Sequence, residues 1–174
     1  MSSAHIIAAA IAWSAPNLPN ETVARYAIDI DNAIEEDELP LGFAMVANAK
    51  WESNFRHEIE TCQCPRVDPV SRRRECDSDK HGRPTAFGLF QLKADRLGPY
   101  TPAQVCASNA LSAERAAVTM REKLKAAGGR YWKAFTLYVG GESLSVVGRR
   151  KDFDWMRSNR AALAEKGEAM CQDW

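Results

Sequence analysis

The chain has 174 residues, 45% of them hydrophobic and 26% charged, with 23 basic residues balanced by 23 acidic ones. That length suits one compact domain with a real core, and the composition is that of a soluble globular protein rather than a disordered one. A net charge of zero argues against a protein held to nucleic acid or to a membrane by bulk charge, which would be basic.

The longest apolar run, residues 6–13, is far short of the roughly 20 residues that span a bilayer. No Lys or Arg precedes it and no small-x-small cleavage site follows. It therefore reads as an amphipathic first helix rather than a secretory signal. Asn20 is positioned to cap a second helix, which continues through Val23, Ala24, Ala27, Ile28 and Ile30 at helical steps. Glu35, Glu36, Asp37 and Glu38 break the pattern. Pro40 then sits where a first helical turn tolerates proline, and a third helix is predicted over about residues 41–54.

Residues 55–84 carry no helical period and read as one long loop, a length usually kept for function. Strand signals are weak, and at most a short hairpin is expected in that loop; order returns at Ala86-Phe87-Gly88-Leu89-Phe90-Gln91-Leu92. Ser112 is positioned to cap a helix to about residue 126, ended by Gly128-Gly129. An aromatic helix over residues 131–139 stops at Gly140-Gly141, and one last helix runs from about residue 152 to 171. The runs Arg72-Arg73-Arg74 and Arg149-Arg150-Lys151 read as solvated surface.

The five cysteines are Cys62, Cys64, Cys76, Cys106 and Cys171, an odd number that cannot pair completely within one chain. A bridge from Cys62 or Cys64 to Cys76 would brace the long loop in an oxidising compartment. A zinc site using these thiols with His57 or His81 is the rival, but Cys-x-Cys departs from the usual Cys-x-x-Cys spacing. Asp77-x-Asp79-x-His81-Gly82 imitates the start of a calcium loop, yet its last ligand position falls on Gly88. Neither a metal nor a cofactor is expected.

The third helix carries the chemistry. Leu41, Met45, Asn48, Ala49 and Glu52 fall at steps of three, four and seven, so Glu52 continues the core-facing stripe into the last turn. Desolvation and the negative end of the helix dipole are both expected to raise its pKa. A protonated glutamic acid near neutral pH is what glycoside cleavage uses to protonate a leaving oxygen. A solvated carboxylate at a fraying helix end is the plainer alternative.

Trp51-Glu52-Ser53-Asn54-Phe55 resembles the Glu-Ser-x-Phe signature of soluble lytic transglycosylases and the related goose-type lysozymes. Gly88-Leu89-Phe90-Gln91-Leu92 is similar to their Gly-Leu-Met-Gln-Ile block, and Thr136-Leu137-Tyr138-Val139-Gly140-Gly141 to their Ala-Tyr-Asn-Ala-Gly block, in the same order. Each motif alone is weak; the likeness spans roughly residues 20–145, with a C-terminal helix over 146–174. It implies a mainly α (α+β) lysozyme-like single domain, residues 1–174, that cleaves the MurNAc-β-1,4-GlcNAc bond of peptidoglycan without a cofactor.

The resemblance also implies roles. Glu52 would be general acid and then base. Gln91, whose amide both donates and accepts, would line the saccharide groove with Ser53, Leu89 and Phe90. Gly88 would let backbone approach the substrate, and Tyr138 would hydrogen-bond Glu52. Val139 departs from the family's asparagine, and the loop between Glu52 and Gly88 is longer than usual. That loop is where goose-type enzymes keep aspartates that hold a hydrolytic water. Asp68, Asp77 and Asp79 are candidates, with Asp79 preferred.

With Glu52 alone, the muramyl 6-hydroxyl closes on C1 and leaves a 1,6-anhydro end. With a second carboxylate such as Asp79, water attacks with inversion. The first is favoured, because no motif places a second carboxylate. A non-catalytic glycan-binding or structural module on the same scaffold is the alternative of another class, and a disulfide- or zinc-stapled docking protein a third. The expected partner is the peptidoglycan strand in periplasm or extracellular wall, not nucleic acid. Without a signal peptide the chain would reach it by phage particle, cell lysis or dedicated secretion.

Overall fold

The computed structural model describes residues 3–63 and 84–171. Among these residues the chain is mainly helical: α1 (Ser3–Ser14), α2 (Asn20–Ala33), α3 (Leu39–Glu52), α4 (His57–Glu60), α5 (Pro102–Ala107), α6 (Asn109–Ala126), α7 (Tyr131–Val139), α8 (Leu144–Ser158) and α9 (Arg160–Cys171). A short antiparallel hairpin, β1 (Ala86–Phe87) and β2 (Leu92–Lys93), pairs Ala86 with Lys93 and Phe87 with Leu92. None of the described helices is long and apolar enough to cross a membrane.

Helix α1 is not amphipathic as expected. Ile6, Ile7, Ala8, Ala9, Ala10 and Ile11 are all buried, so apolar side chains point in every direction. A helix hydrophobic all round belongs inside a core. It is packed by α2, α3 and α9. Small residues make that possible: a Cβ on Gly167 of α9 would collide with the backbone carbonyl of His5, so these two helices touch along their main chains.

Helix α3 is the second interior helix. Leu41 to Ala49 are buried without interruption, and only the last turn emerges. The expected stripe is therefore part of a fully buried cylinder that delivers its C-terminal residues to the surface. Pro40 lies in its first turn as expected, with Glu38 as the N-cap residue. Arg121 of α6 holds the Glu38 carboxylate through Nε and Nη2 and tethers this end of α3.

Other boundaries needed correction. Pro19, not Asn20, is the N-cap residue of α2, with Val23 N donating to Pro19 O at 3.0 Å. Helix α6 begins at Asn109 and is capped by Ser108, whose Oγ accepts from Leu111 N at 3.3 Å; Ser112 is an interior, fully buried residue. The last helix is two helices. Asn159 donates its side-chain amide to Trp155 O at 2.8 Å, the local competition by which asparagine ends helices. Val146, Arg149, Phe153 and Met156 of α8 are buried, and α8 packs on α3 and α7, whereas α9 packs mainly on α1.

The predicted bridge to Cys76 is not the one Cys62 makes. Cys62 is bonded to Cys106 at the end of α5. Cys64, Cys76, His81, Asp68, Asp77, Asp79 and the run Arg72-Arg73-Arg74 lie outside the described residues. Within the described residues no group of three or more His, Cys, Asp or Glu could hold a metal ion.

Candidate active site

Three consecutive features end α3 and expose Glu52. Ser53 is buried; its Oγ donates to Ala49 O at 2.9 Å and accepts from Phe55 N at 3.1 Å. Asn54 and Phe55 then adopt left-handed backbone, with φ of 50° and 56°, a conformation non-glycine residues rarely take. The turn buries Phe55 against Tyr26, ring centroids 5.7 Å apart. Ser53 is thus buried in the turn it shapes, and Glu52 is left partly exposed, with 22% of its side chain accessible.

The surroundings of Glu52 include a charged partner that the core-facing stripe does not reveal. Arg149 of α8 donates from Nη2 to Glu52 Oε1 at 2.5 Å and from Nε to Asn48 Oδ1 at 2.9 Å. Arg149 is only 2% exposed, the largest fully buried side chain among the described residues, so its reading as solvated surface is wrong. Burial pulls its pKa down, and the Glu52 partner opposes this. A guanidinium so close favours the charged carboxylate and counters the desolvation anticipated for Glu52.

Gly148 explains how α8 comes near enough. A Cβ there would overlap the Trp51 indole, so the ring lies against bare α8 backbone. Trp51 Nε1 donates to Asp152 Oδ2 at 2.8 Å, and Lys50 Nζ lies 3.1 Å from the same carboxylate. Trp51 keeps 41% of its surface exposed next to Glu52.

The second motif forms the hairpin turn. Gly88 and Gln91 have φ of 71° and 48°. Gln91 N and Nε2 both donate to Gly88 O, at 3.1 and 3.0 Å, so its amide nitrogen braces the turn. Leu89 and Phe90 are buried in the core, and Phe90 does not offer its ring to a ligand. Gly88 is required by packing: a Cβ would sit 2.5 Å from Ser112 Oγ. Its N–H donates to Cys62 Sγ at 3.3 Å, which joins the turn to the disulfide.

The third motif delivers Tyr138. Gly140, left-handed at φ 88°, ends α7 as predicted. The Tyr138 hydroxyl donates to Phe90 O at 3.0 Å rather than to Glu52. Burial first, and then the Glu52 charge, push the Tyr138 phenol well above its ordinary pKa, while Arg96 and Arg149 oppose this. Arg96 lies over the Tyr138 ring, 5.5 Å from its centroid, and donates to the Tyr138 carbonyl. Tyr138 and Phe90 are therefore in direct contact, and the Glu52 charge acts on the Tyr138 phenol.

A buried carboxylate, Glu60 of α4, escaped the sequence reading. Tyr26 donates to Oε2 at 2.7 Å and His57 Nδ1 lies 3.2 Å from the same oxygen; Arg25 (3.2 Å) and Asn109 bind Oε1. Four partners fill the capacity of a carboxylate, so Glu60 knots α2, α4 and α6 together. Arg149 was legible in part, since it falls on the same apolar spacing as Val146, Phe153 and Met156. Glu60 carried no such signal. No protein-family model, curated protein or solved structure matches the chain.

Proposed function

We propose that the chain is a peptidoglycan lytic transglycosylase on a lysozyme-like scaffold, cutting the bond between N-acetylmuramic acid and N-acetylglucosamine in wall glycan strands. One observation carries the reading. A buried helix delivers a partly exposed carboxyl, Glu52, to the surface, where its charge acts on a tyrosine bonded to the backbone of a glycine-led hairpin turn. Tyr138 of the third motif thus binds the second through Phe90 O, and its phenol feels the charge of Glu52 in the first. The exposed Trp51 indole adds an apolar face next to it, which suits a pyranose ring.

In the reaction, protonated Glu52 donates its proton to the leaving oxygen as the C1–O bond breaks. The resulting carboxylate takes the proton of the muramyl 6-hydroxyl as that oxygen bonds to C1. Atoms balance without water, and the product ends in a 1,6-anhydro ring. The test is mass spectrometry of fragments released from purified peptidoglycan by wild type and Glu52→Gln. Anhydro ends from wild type alone are expected, with at least a hundredfold loss in the variant. Reducing ends would replace transglycosylation by hydrolysis and direct attention to Asp79. No fragments from either protein would refute an enzyme acting on walls and favour a glycan-binding module.

A further inference from the structure

The reaction needs Glu52 to carry a proton, yet Arg149, which binds it, is a permanent cation. Arg149 cannot be deprotonated in a protein, and it is buried with Glu52 Oε1 on Nη2 and Asn48 Oδ1 on Nε. Burying an arginine is costly unless it is paired. The pair is fixed from both helices. Asn48 and Glu52 are one turn apart on α3, Gly148 lets α8 lie against Trp51, and Asp152 is held by Lys50 and Trp51 one turn further along. Arg149 therefore has little freedom to swing away.

Among the described residues, the other charged and titratable groups brought to α3 by α6, α7 and α8 have partners of their own. Helix α8 presents Arg149 and Asp152, the latter already held by Lys50 and Trp51. Helix α7 presents Tyr138, whose hydroxyl is committed to Phe90 O and whose ring lies under Arg96. Helix α6 presents Arg121 at the far end of α3, on Glu38.

We propose that Arg149 is a positioning residue that holds Glu52 as the carboxylate in the resting protein, so that cleavage is an acid-pH reaction. This rests on the reading of Glu52 as the general acid. A proton enters from solvent at the exposed edge of Glu52, against the guanidinium. Once the proton has passed to the leaving oxygen, the new carboxylate is stabilised in place and oriented to act as base. The arrangement makes the loaded form scarcer and each proton donation easier.

The sign follows directly. A general acid works only when protonated, so the rate falls as pH rises through its pKa. An adjacent cation lowers that pKa and moves the fall to lower pH; removing the cation moves it up by about one pH unit or more. The experiment measures the pH dependence of peptidoglycan solubilisation for wild type, Arg149→Met and Arg149→Lys. Alongside, the Glu52 carboxyl carbon is titrated by NMR, assigned by its absence in Glu52→Gln.

The wild-type carbon is expected to titrate below about 4.3, the ordinary glutamate value. Arg149→Met should raise both that midpoint and the alkaline fall in rate, so that the fraction of maximal rate kept near neutral pH grows about tenfold. Arg149→Lys should stay near wild type. A merely structural arginine would change the rate equally at every pH, and an unmoved fall in a folded Arg149→Met overturns the proposal. Should Arg149→Met fail to fold, a wild-type midpoint at or above the ordinary value overturns it just as well. A depressed midpoint in a protein that cuts no wall at any pH supports the hold of Arg149 on Glu52 and refutes the cleavage reading.

Discussion

Removing the Cys62–Cys106 bond has an effect that can be worked from its position. The two cysteines are 44 residues apart, and the loop they close contains the whole hairpin. Cross-linking a loop of that size removes denatured-state entropy equivalent to about 4 kcal/mol at 25 °C in the chain-entropy treatment, against measured values of about 2–4 kcal/mol. The native state adds one contact, the Gly88 N–H on Cys62 Sγ. The double variant Cys62→Ala/Cys106→Ala avoids leaving a half-cystine to exchange with other thiols. Its urea unfolding under non-reducing conditions should lose about 2–4 kcal/mol. At a slope near 2 kcal/mol/M that lowers the midpoint by about 1–2 M. The slope should rise, because an uncrosslinked chain exposes more surface. Adding a dithiol reductant to wild type should bring its curve onto that of the variant. Coincident midpoints for oxidised wild type and the double variant would refute both the pairing and the entropic argument.

Two further outcomes follow from the packing and charge. Gly167→Ala drives a methyl group into the His5 carbonyl; overpacking of about 1–3 kcal/mol exceeds the helix-propensity gain of about 1 kcal/mol. Its melting temperature should fall, and a rise would mean that α1 and α9 are not in main-chain contact. For Glu38, the hydrogen bond from Arg121 holds the carboxyl below the ordinary glutamate range. A depressed folded-state pKa gives stability that is present above the unfolded value and lost as pH falls through the folded one. Melting temperatures measured from neutral to acid pH should therefore fall less steeply for Glu38→Gln than for wild type.

What was legible in the sequence was local. The end of α7 at Gly140 was readable because a left-handed residue has few occupants other than glycine. Glu52 at the end of α3 followed from apolar spacing, whereas the hairpin forms around the Gly88 block, beyond the loop to which the sequence assigns it. Local signals misled where two residues competed, as with Ser108 and Ser112, only one of which could be the cap. Partners distant in sequence were hidden. Nothing near Cys62 points to Cys106, and nothing near Glu52 points to Arg149, 97 residues away. Arg149 was obscured further by Arg150 and Lys151, which made a buried residue look like part of a solvated run. The amphipathic reading of α1 failed because a short apolar run does not reveal how many neighbours will cover it.

Helix α1 sets the order in which the molecule can be completed during synthesis. It leaves the ribosome first among the described elements, yet one of the surfaces that covers it belongs to α9, which leaves last. At about 5–20 residues per second the interval is on the order of ten seconds. Throughout it, an isoleucine- and alanine-rich cylinder has no complete shelter. The nascent chain is thus a natural client for chaperones that hold apolar segments, and a stop codon ahead of α9 should give aggregate rather than a smaller folded protein.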